Sequence, residues 1–358
     1  MIISKERPHI RVASDIEAKI QSGQIKDGEQ IAPESQLSAY YKTSLRVIRN
    51  AMSELEARDI IFRQKGKGTF VRRSEKVLNP RSLSAAVIFN QTLCVSNMAR
   101  LAGIAETLKE NNIGLFVTET GHLLEKEIEA VEECRGKCDG IILVSVASEQ
   151  TVDYLKLLSE QDKRKIVLVD RFFHKISLNC VTCDHFDGVY KAAVHMHDSG
   201  YKKIAYAGSS FQIFSVHERI MGFVKAAQTF APGENPLILQ KGTNMHTAGH
   251  ESAKELLTTG KADAMVCEND DIAIGALTFL KEAGVRPGKD FGLIGFDDSE
   301  SVVHTTLGLS SVNAKCQETG RIAAAILSET LLGRRDGQQA QKIVLPVEIT
   351  ERDSSRRN

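Results

Sequence analysis

The sequence predicts a mixed α/β chain: a small helical head that ends in a two-stranded hairpin, then a larger domain of two doubly wound halves. Three observations predict it. Residues 10 to 71 carry apolar residues at helical spacing, followed by two short alternating runs around a glycine turn. From Ser84 onward, short apolar runs alternate with amphipathic stretches of helical length, which implies βαβ units and parallel sheets. That second texture restarts near Ile204.

The first helix is expected over residues 10 to 22, with Ile10, Ala13, Ile16, Glu17 and Ile20 on one side and Gly23 as its stop. Pro33 and Glu34 suit the first turn of a second helix, whose apolar face is Leu37, Tyr40 and Tyr41. Thr43 or Ser44 can cap a third, because a hydroxyl accepts from the unpaired N–H groups of a first turn. Val47, Ile48, Ala51, Met52 and Leu55 then point inward and leave Arg46, Arg49 and Asn50 outside. Ile60 and Ile61 lead into Phe62-Arg63-Gln64, a turn of Lys65, Gly66, Lys67 and Gly68, and Thr69-Phe70-Val71. Helix, turn, helix and basic hairpin in this order make a winged helix-turn-helix, whose expected partner is double-stranded DNA. A small helical cap with a solvated charged face would explain the charges but not the order of the elements.

Charge agrees with the DNA reading. Residues 1–80 hold 15 Lys and Arg against 10 Asp and Glu, whereas the remainder holds 31 against 36. The net charge of zero therefore conceals a basic head on an acidic body, which suits a polyanionic partner.

Residues 9–71 resemble the DNA-binding domain of the GntR family of bacterial transcription regulators, through Gly28, Glu34, Leu37, Ser44, Arg49, Leu55, Gly66, Gly68 and the run Thr69-Phe70-Val71. The resemblance implies a recognition helix in the major groove and a wing tip near the minor groove. Its candidate DNA contacts are Ser44, Arg46, Arg49, Asn50, Lys65, Gly66 and Lys67. Leu45 stands where the family usually has Arg, and Ser35 where a basic residue is common, so base preference does not carry over.

Composition sets the bounds. With 42% apolar and 26% charged residues over 358 positions, a globular chain is expected, long enough for a small domain plus a larger one or for two halves of a larger one. The start Met1-Ile2-Ile3-Ser4-Lys5-Glu6 lacks the apolar core of a signal peptide, and no run approaches membrane-spanning length. A cytoplasmic protein with no membrane partner is expected. Seven cysteines, an odd number, argue against a disulfide framework. Cys180 and Cys183 have metal-ligand spacing, but no second pair at that spacing follows, so they are read as core thiols with no metal and no cofactor. His195 with His197, and His246 with His250, lack an intervening metalloprotease Glu and are read as surface or packing residues.

The boundaries expected are 1–72 for the DNA-binding domain, 73–83 for a charged linker and 84–358 for the larger domain. Within the latter, strands are expected at residues 85–89, 113–118, 140–144 and 165–169, with helices at 97–111 and 123–135. The restart gives strands at 204–207, 264–267 and 292–294 and helices at 214–230 and 270–283. Two successive halves suggest a cleft between them, with ligand beyond the carboxyl ends of the strands. Asp170, Arg171, Asp184, Asn269, Asp270, Asp297 and Asp298 stand at those ends, and Arg219 on a following helix. Ionised Asp accepts from hydroxyls, so several Asp with few basic groups suit a neutral polyol such as a sugar and repel a phosphate ester. Asp270 and Asp298 are assigned to capping or scaffolding.

Two other classes fit less well. An enzyme on a doubly wound fold would need a G-x-x-x-x-G-K loop or a G-x-S-x-G elbow, and neither occurs. A sugar-transport protein would have no use for the basic head.

From about Ala85 to Ser354 the chain resembles the effector-binding domain of the LacI family, whose fold is that of periplasmic sugar-binding proteins. The runs Val167–Arg171, Gly200–Ala205, Arg219–Phe223, Asn269-Asp270, Ile294–Asp298 and Leu345–Ile349 carry the likeness. It implies that Asp170, Asp184, Arg219, Asn269 and Asp297 line an effector cleft. The loop Asn90-Gln91-Thr92-Leu93-Cys94 departs from the family's Asn-Pro with aromatics, and the chain has no Trp. A ring stacking on a sugar must then be Phe or Tyr, with Phe172 and Phe214 as candidates. The two resemblances together suggest a homodimeric repressor, similar to arabinose-responsive ones, controlled by a small-molecule effector that is expected to be a carbohydrate. Its two-fold symmetry would match two operator half-sites.

Overall fold

The computed structural model describes residues 8–21, 24–26, 28–58, 60–64, 67–71, 83–91, 94–146, 149–173, 175–211, 213–299, 302, 308–335 and 339–357. The chain forms two compact units, Met1–Arg81 and Ser82–Asn358.

In the first unit the helices α1 (Pro8–Gln21), α2 (Glu34–Tyr40) and α3 (Leu45–Ala57) precede a hairpin of β1 (Ile61–Gln64) and β2 (Gly68–Val71). The hairpin is antiparallel with Phe62 opposite Phe70, and their rings stack 5.8 Å apart. Ile48, Ala51, Met52 and Leu55 of α3 pack against Val12, Ala13 and Ile16 of α1, with Leu37, Ile61 and Val71 closing the core. Glu29 and Ile31 lie along the hairpin, Ile31 N–H donating to Thr69 O and Val71 N–H to Glu29 O. Three local expectations change. Val12 is buried where Ile10 was expected, and Ile10 is 38% exposed. Tyr40 is 68% exposed, because only Leu37 and Tyr41 fit the inward stripe of so short a helix, and the Lys19 ammonium lies over its ring instead. Ser44 is the N-cap of α3, but its hydroxyl makes no capping bond. Gly23, Lys65, Gly66, Arg72 and residues 73–82 of the expected linker lie outside the described residues.

The second unit runs β3 (Ser84–Phe89), α4 (Val95–Glu110), β4 (Gly114–Glu119), α5 (Leu124–Lys137), β5 (Gly140–Val144), α6 (Glu149–Leu157), α7 (Glu160–Arg164), β6 (Ile166–Val169) and β7 (Asn179–Cys183). It continues with α8 (His185–Asp198), β8 (Ile204–Gly208), α9 (Phe214–Phe230), β9 (Leu237–Gln240), α10 (Met245–Thr259), β10 (Ala264–Cys267), α11 (Asp270–Glu282) and β11 (Gly292–Phe296). β12 (Ser310–Asn313), α12 (Cys316–Leu331), β13 (Lys342–Leu345) and β14 (Glu348–Thr350) complete it. Among the described residues these strands form two six-stranded sheets, ordered β4-β3-β5-β6-β7-β13 and β9-β8-β10-β11-β12-β14. Every pairing is parallel except that of β12 with β14.

Central strands buried on both faces explain the continuous apolar runs. Ala85, Val87 and Phe89 of β3 face Ile104 and Leu108 of α4, while Ala86 and Ile88 face Val131 of α5 and Leu155 of α6. The halves are not successive, as the sequence suggested, but interleaved. After β7 the chain crosses to α8, which packs on the second sheet, and after β12 it returns as α12 against α4 and β5–β7. β13 joins the first sheet and β14 the second.

Candidate ligand cleft and nucleic-acid interface

A cavity of about 370 Å³ opens where the carboxyl ends of both sheets converge. The first half contributes the N-terminal part of the buried stripe of α4, which is polar there. Asn97 and Arg100 are 3% and 4% exposed, two turns and one turn before the apolar Ile104. Arg100 donates from Nη2 to Asp170 Oδ1 at 2.5 Å and from Nη1 to Asn97 Oδ1 at 2.9 Å. Asp170 follows β6 with a left-handed φ of 69°. Burial alone would raise its carboxyl, but Arg100, His185, Arg171 and Arg219 hold it well below the usual range. Arg171 donates to Ser145 O.

From the second half, Arg219 on α9 gives Nη1–H to Glu268 O at 2.5 Å and Nε–H to His185 Nδ1 at 3.3 Å. Its Nη2 reaches Asp297 Oδ1 at 3.5 Å, and its guanidinium lies 3.9 Å from the Phe296 ring centre. Burial raises Asp297 to about 6 despite Arg219 and Arg100. Burial, with Arg219 beside it, lowers His185 to about 4, so the imidazole is neutral. Glu268 accepts from Ser209 N–H and Oγ–H, and burial raises its carboxyl. Asn269 Oδ1 caps α11 by accepting from Ile272 N–H at 3.0 Å, leaving its Nδ2 only a 3.6 Å contact with Met245 Sδ.

Of the residues singled out from the sequence, Asp170, Arg219, Asn269 and Asp297 line this cavity. Asp184 does not. It caps α8, accepting from Asp187 N–H at 2.9 Å, because the chain leaves β7 directly into that helix. Asp270 accepts from Ser299 N–H and Ser311 Oγ–H, and Asp298 pairs with Arg352 at 2.8 Å. Phe172 and Phe214 lie elsewhere, where the Lys342 ammonium sits 3.7 Å from the Phe172 ring centre and the two rings meet edge to face. Among the described residues, the phenyl ring that lines the cleft is that of Phe211, beside His122. His246 also lines the cleft rather than the surface alone. Arg100 and Asn97 were missed, although a charge on the inward stripe of a helix was the signal that could have found them.

In the first unit, Ser44, Arg46, Arg49 and Asn50 are exposed on the side of α3 away from its buried residues, and Lys67 is exposed at the hairpin. Arg49 pairs with Glu34 at 2.8 Å, a surface pair that costs little to exchange for a phosphate or base. Gly68 has φ of 120°, and any Cβ there would overlap the Gln30 amide, which donates to Lys67 O.

Residues 9–71 match the family described as bacterial regulatory proteins, gntR family, and residues 193–355 match the periplasmic binding protein-like domain. The chain joins a gntR-family domain to a periplasmic binding protein-like domain. It is similar to the arabinose metabolism transcriptional repressor of Geobacillus stearothermophilus, at 25% identity over 97% of both chains. It is also similar to the HTH-type transcriptional repressor PurR of Haemophilus influenzae (strain PittEE), at 28% identity over 79% of this chain and 84% of that one. The solved structure of transcription regulator CcpA of Lactococcus lactis, 27% identical, superposes with a TM-score of 0.67 over 76% of this chain and 99% of its own. The chain is thus a DNA-binding transcription regulator with a ligand-binding domain, and the relatives named above are two transcriptional repressors and a transcription regulator. Among the described residues, no helix of the regulator is long and apolar enough to cross a membrane, and no cluster of three or more His, Cys, Asp or Glu could hold a metal ion.

Proposed function

We propose that the regulator represses transcription in the cytoplasm as a homodimer, and that a neutral monosaccharide in the cleft controls its hold on DNA. The assignment is 1–72 to the DNA-binding domain, 73–83 to a linker and 84–358 to the sensor. Ser44, Arg46, Arg49, Asn50, Lys65, Gly66 and Lys67 contact DNA, and Asp170, Arg219, Asn269 and Asp297 contact the sugar.

The observation that carries the ligand reading is the charge of the cleft. Arg100, Arg171 and Arg219 face Asp170, Glu268, Asp271 and Asp297, so the lining already balances its cations and leaves carboxylate oxygens over. Arg219 gives Nη1–H to Glu268 O, and Arg100 gives its two Nη groups to Asn97 and Asp170, within the protein. Hydroxyl groups donate to such oxygens, and an anion is repelled by them. The likeness to an arabinose metabolism repressor over nearly the whole chain makes arabinose the first candidate. Homodimer formation is supported by the edge strand β4, where Phe116 is 60% and Val117 44% exposed.

A thermal-shift screen of the purified regulator against monosaccharides, alditols and sugar phosphates tests this reading. A neutral sugar at about a hundred times its dissociation constant should add about 2.7 kcal/mol and raise the melting temperature by several degrees. A response confined to sugar phosphates would sink it.

A further inference from the structure

Two loops from opposite halves of the sensor meet at the cleft. The turn after β4 presents His122, and the segment after β8 presents Phe211. Their rings stack with centroids 4.9 Å apart and planes 20° from parallel. The contact is at the rim, since Gln91, which lines the cavity beside His122, is exposed, whereas Asn90 beneath it is 5% exposed.

The His122 ring is held by its own half, and Phe211 is held there through its backbone. His122 Nδ1 accepts from Asn90 Nδ2 at 3.2 Å, and Nε2 faces Gln91 Oε1 at 3.2 Å, which sets the tautomer with hydrogen on Nε2. Burial, then the Arg171 charge, hold the imidazole below its ordinary pKa, against Glu119. The backbone is committed as well. Gly121 and His122 take successive left-handed φ values of 60° and 62°, and His122 N–H donates to Asn90 O at 3.0 Å. A non-glycine residue held there is the kind of local strain that persists at ligand clamps. Across the mouth, Phe211 N–H donates to Ser209 Oγ, whose hydroxyl donates to Glu268, the residue whose carbonyl receives Arg219.

We infer that His122 and Phe211 form a clasp across the mouth of the cleft that limits its ligand to about one sugar ring. The cavity volume of about 370 Å³ lies near the lower end of the range for small-molecule sites, about 300–1,000 Å³. A second ring on a ligand that leaves the cleft on this side meets the two stacked side chains. This inference rests on the sugar reading above.

The test measures binding of arabinose and of its 1,5-linked disaccharide to the full-length regulator by calorimetry. The variants are Phe211→Ala and His122→Asn, the latter because Asn tolerates the left-handed backbone. Both side chains are part-buried at the rim, outside the sheet cores. Wild type should prefer the monosaccharide, and each variant should cut that preference by about tenfold or more, a change of about 1.4 kcal/mol in the difference between the two affinities. An unchanged preference in both variants overturns the clasp while leaving the sugar reading intact. If wild type binds neither sugar, the ligand reading fails and hydrogen exchange of the ligand-free protein decides the clasp. Phe211→Ala should then speed exchange of the His122 amide by about tenfold. Unaltered exchange overturns the clasp.

Discussion

Asp270 lies beneath the cleft with both carboxylate oxygens engaged by Ser299 and Ser311, and burial, reinforced by Asp297, pushes its carboxyl up to about 7. A carboxyl whose folded pKa exceeds its unfolded one holds its proton better when folded, so stability grows as pH falls through the folded value. His185, lowered to about 4, acts in the opposite sense, mostly below its ordinary value of 6.5. Between about pH 8 and about pH 6.5 the Asp270 contribution should therefore dominate and add about 1 kcal/mol. Urea denaturation at the two pH values should show this gain in wild type and not in Asp270→Asn. A wild type that loses stability over that interval would show that the carboxyl is ionised throughout. On the DNA side, Arg49→Ala should weaken operator binding by about 1–3 kcal/mol if the side chain reads a base. Gel-shift titration on the operator and on a scrambled duplex separates that role from a phosphate contact, which would weaken both equally.

At the scale of elements, helix pairs are set by glycine. A Cβ on Gly103 of α4 would overlap the Gln317 carbonyl of α12, and one on Gly320 of α12 would overlap the Arg100 carbonyl. Gly249 of α10 and Gly275 of α11 stand in the same reciprocal relation through Ile272 and His246. The α4–α12 contact also sets the position of Arg100 in the cleft. Gly103→Ala should cost about 1–3 kcal/mol through overpacking. Gly136→Ala, on the open side of α5 with no atom near its Cβ, should instead gain about 0.5–1 kcal/mol. Thermal melts of the two variants check the contrast, and equal effects would show that the helices can slide apart without penalty. These pairings were not legible in the sequence, whereas strands buried on both faces, such as β3 and β10, were, because an uninterrupted apolar run has few other uses. β9 and β13 escaped notice because four-residue edge strands with mixed burial leave no period to count. Asp184 shows the converse difficulty, since a carboxylate at a strand end serves a ligand or a helix cap, and only the following helix decides which.

For the whole molecule, the interleaving of the two sheets ties the halves of the sensor together by the connections after β7, β12 and β13. Their order along the chain could not be read from apolar runs, because nothing local marks which sheet a strand will join. Arg219 and Asp297 come from the second half, and Arg100 and Asp170 from the first, so a ligand touching all four is held by both. A sugar can change the hold on DNA only by binding the DNA-competent and DNA-free arrangements with different affinity. Linkage then requires the operator to change sugar affinity by the same factor as the sugar changes operator affinity, typically about 5–150-fold. The check is to titrate the sugar into full-length regulator with and without saturating operator duplex, and the operator with and without saturating sugar. Equal factors from the two titrations place both sites on one equilibrium. A sugar that binds the cleft while leaving operator affinity unchanged would separate binding from control, and another ligand would then have to carry the signal.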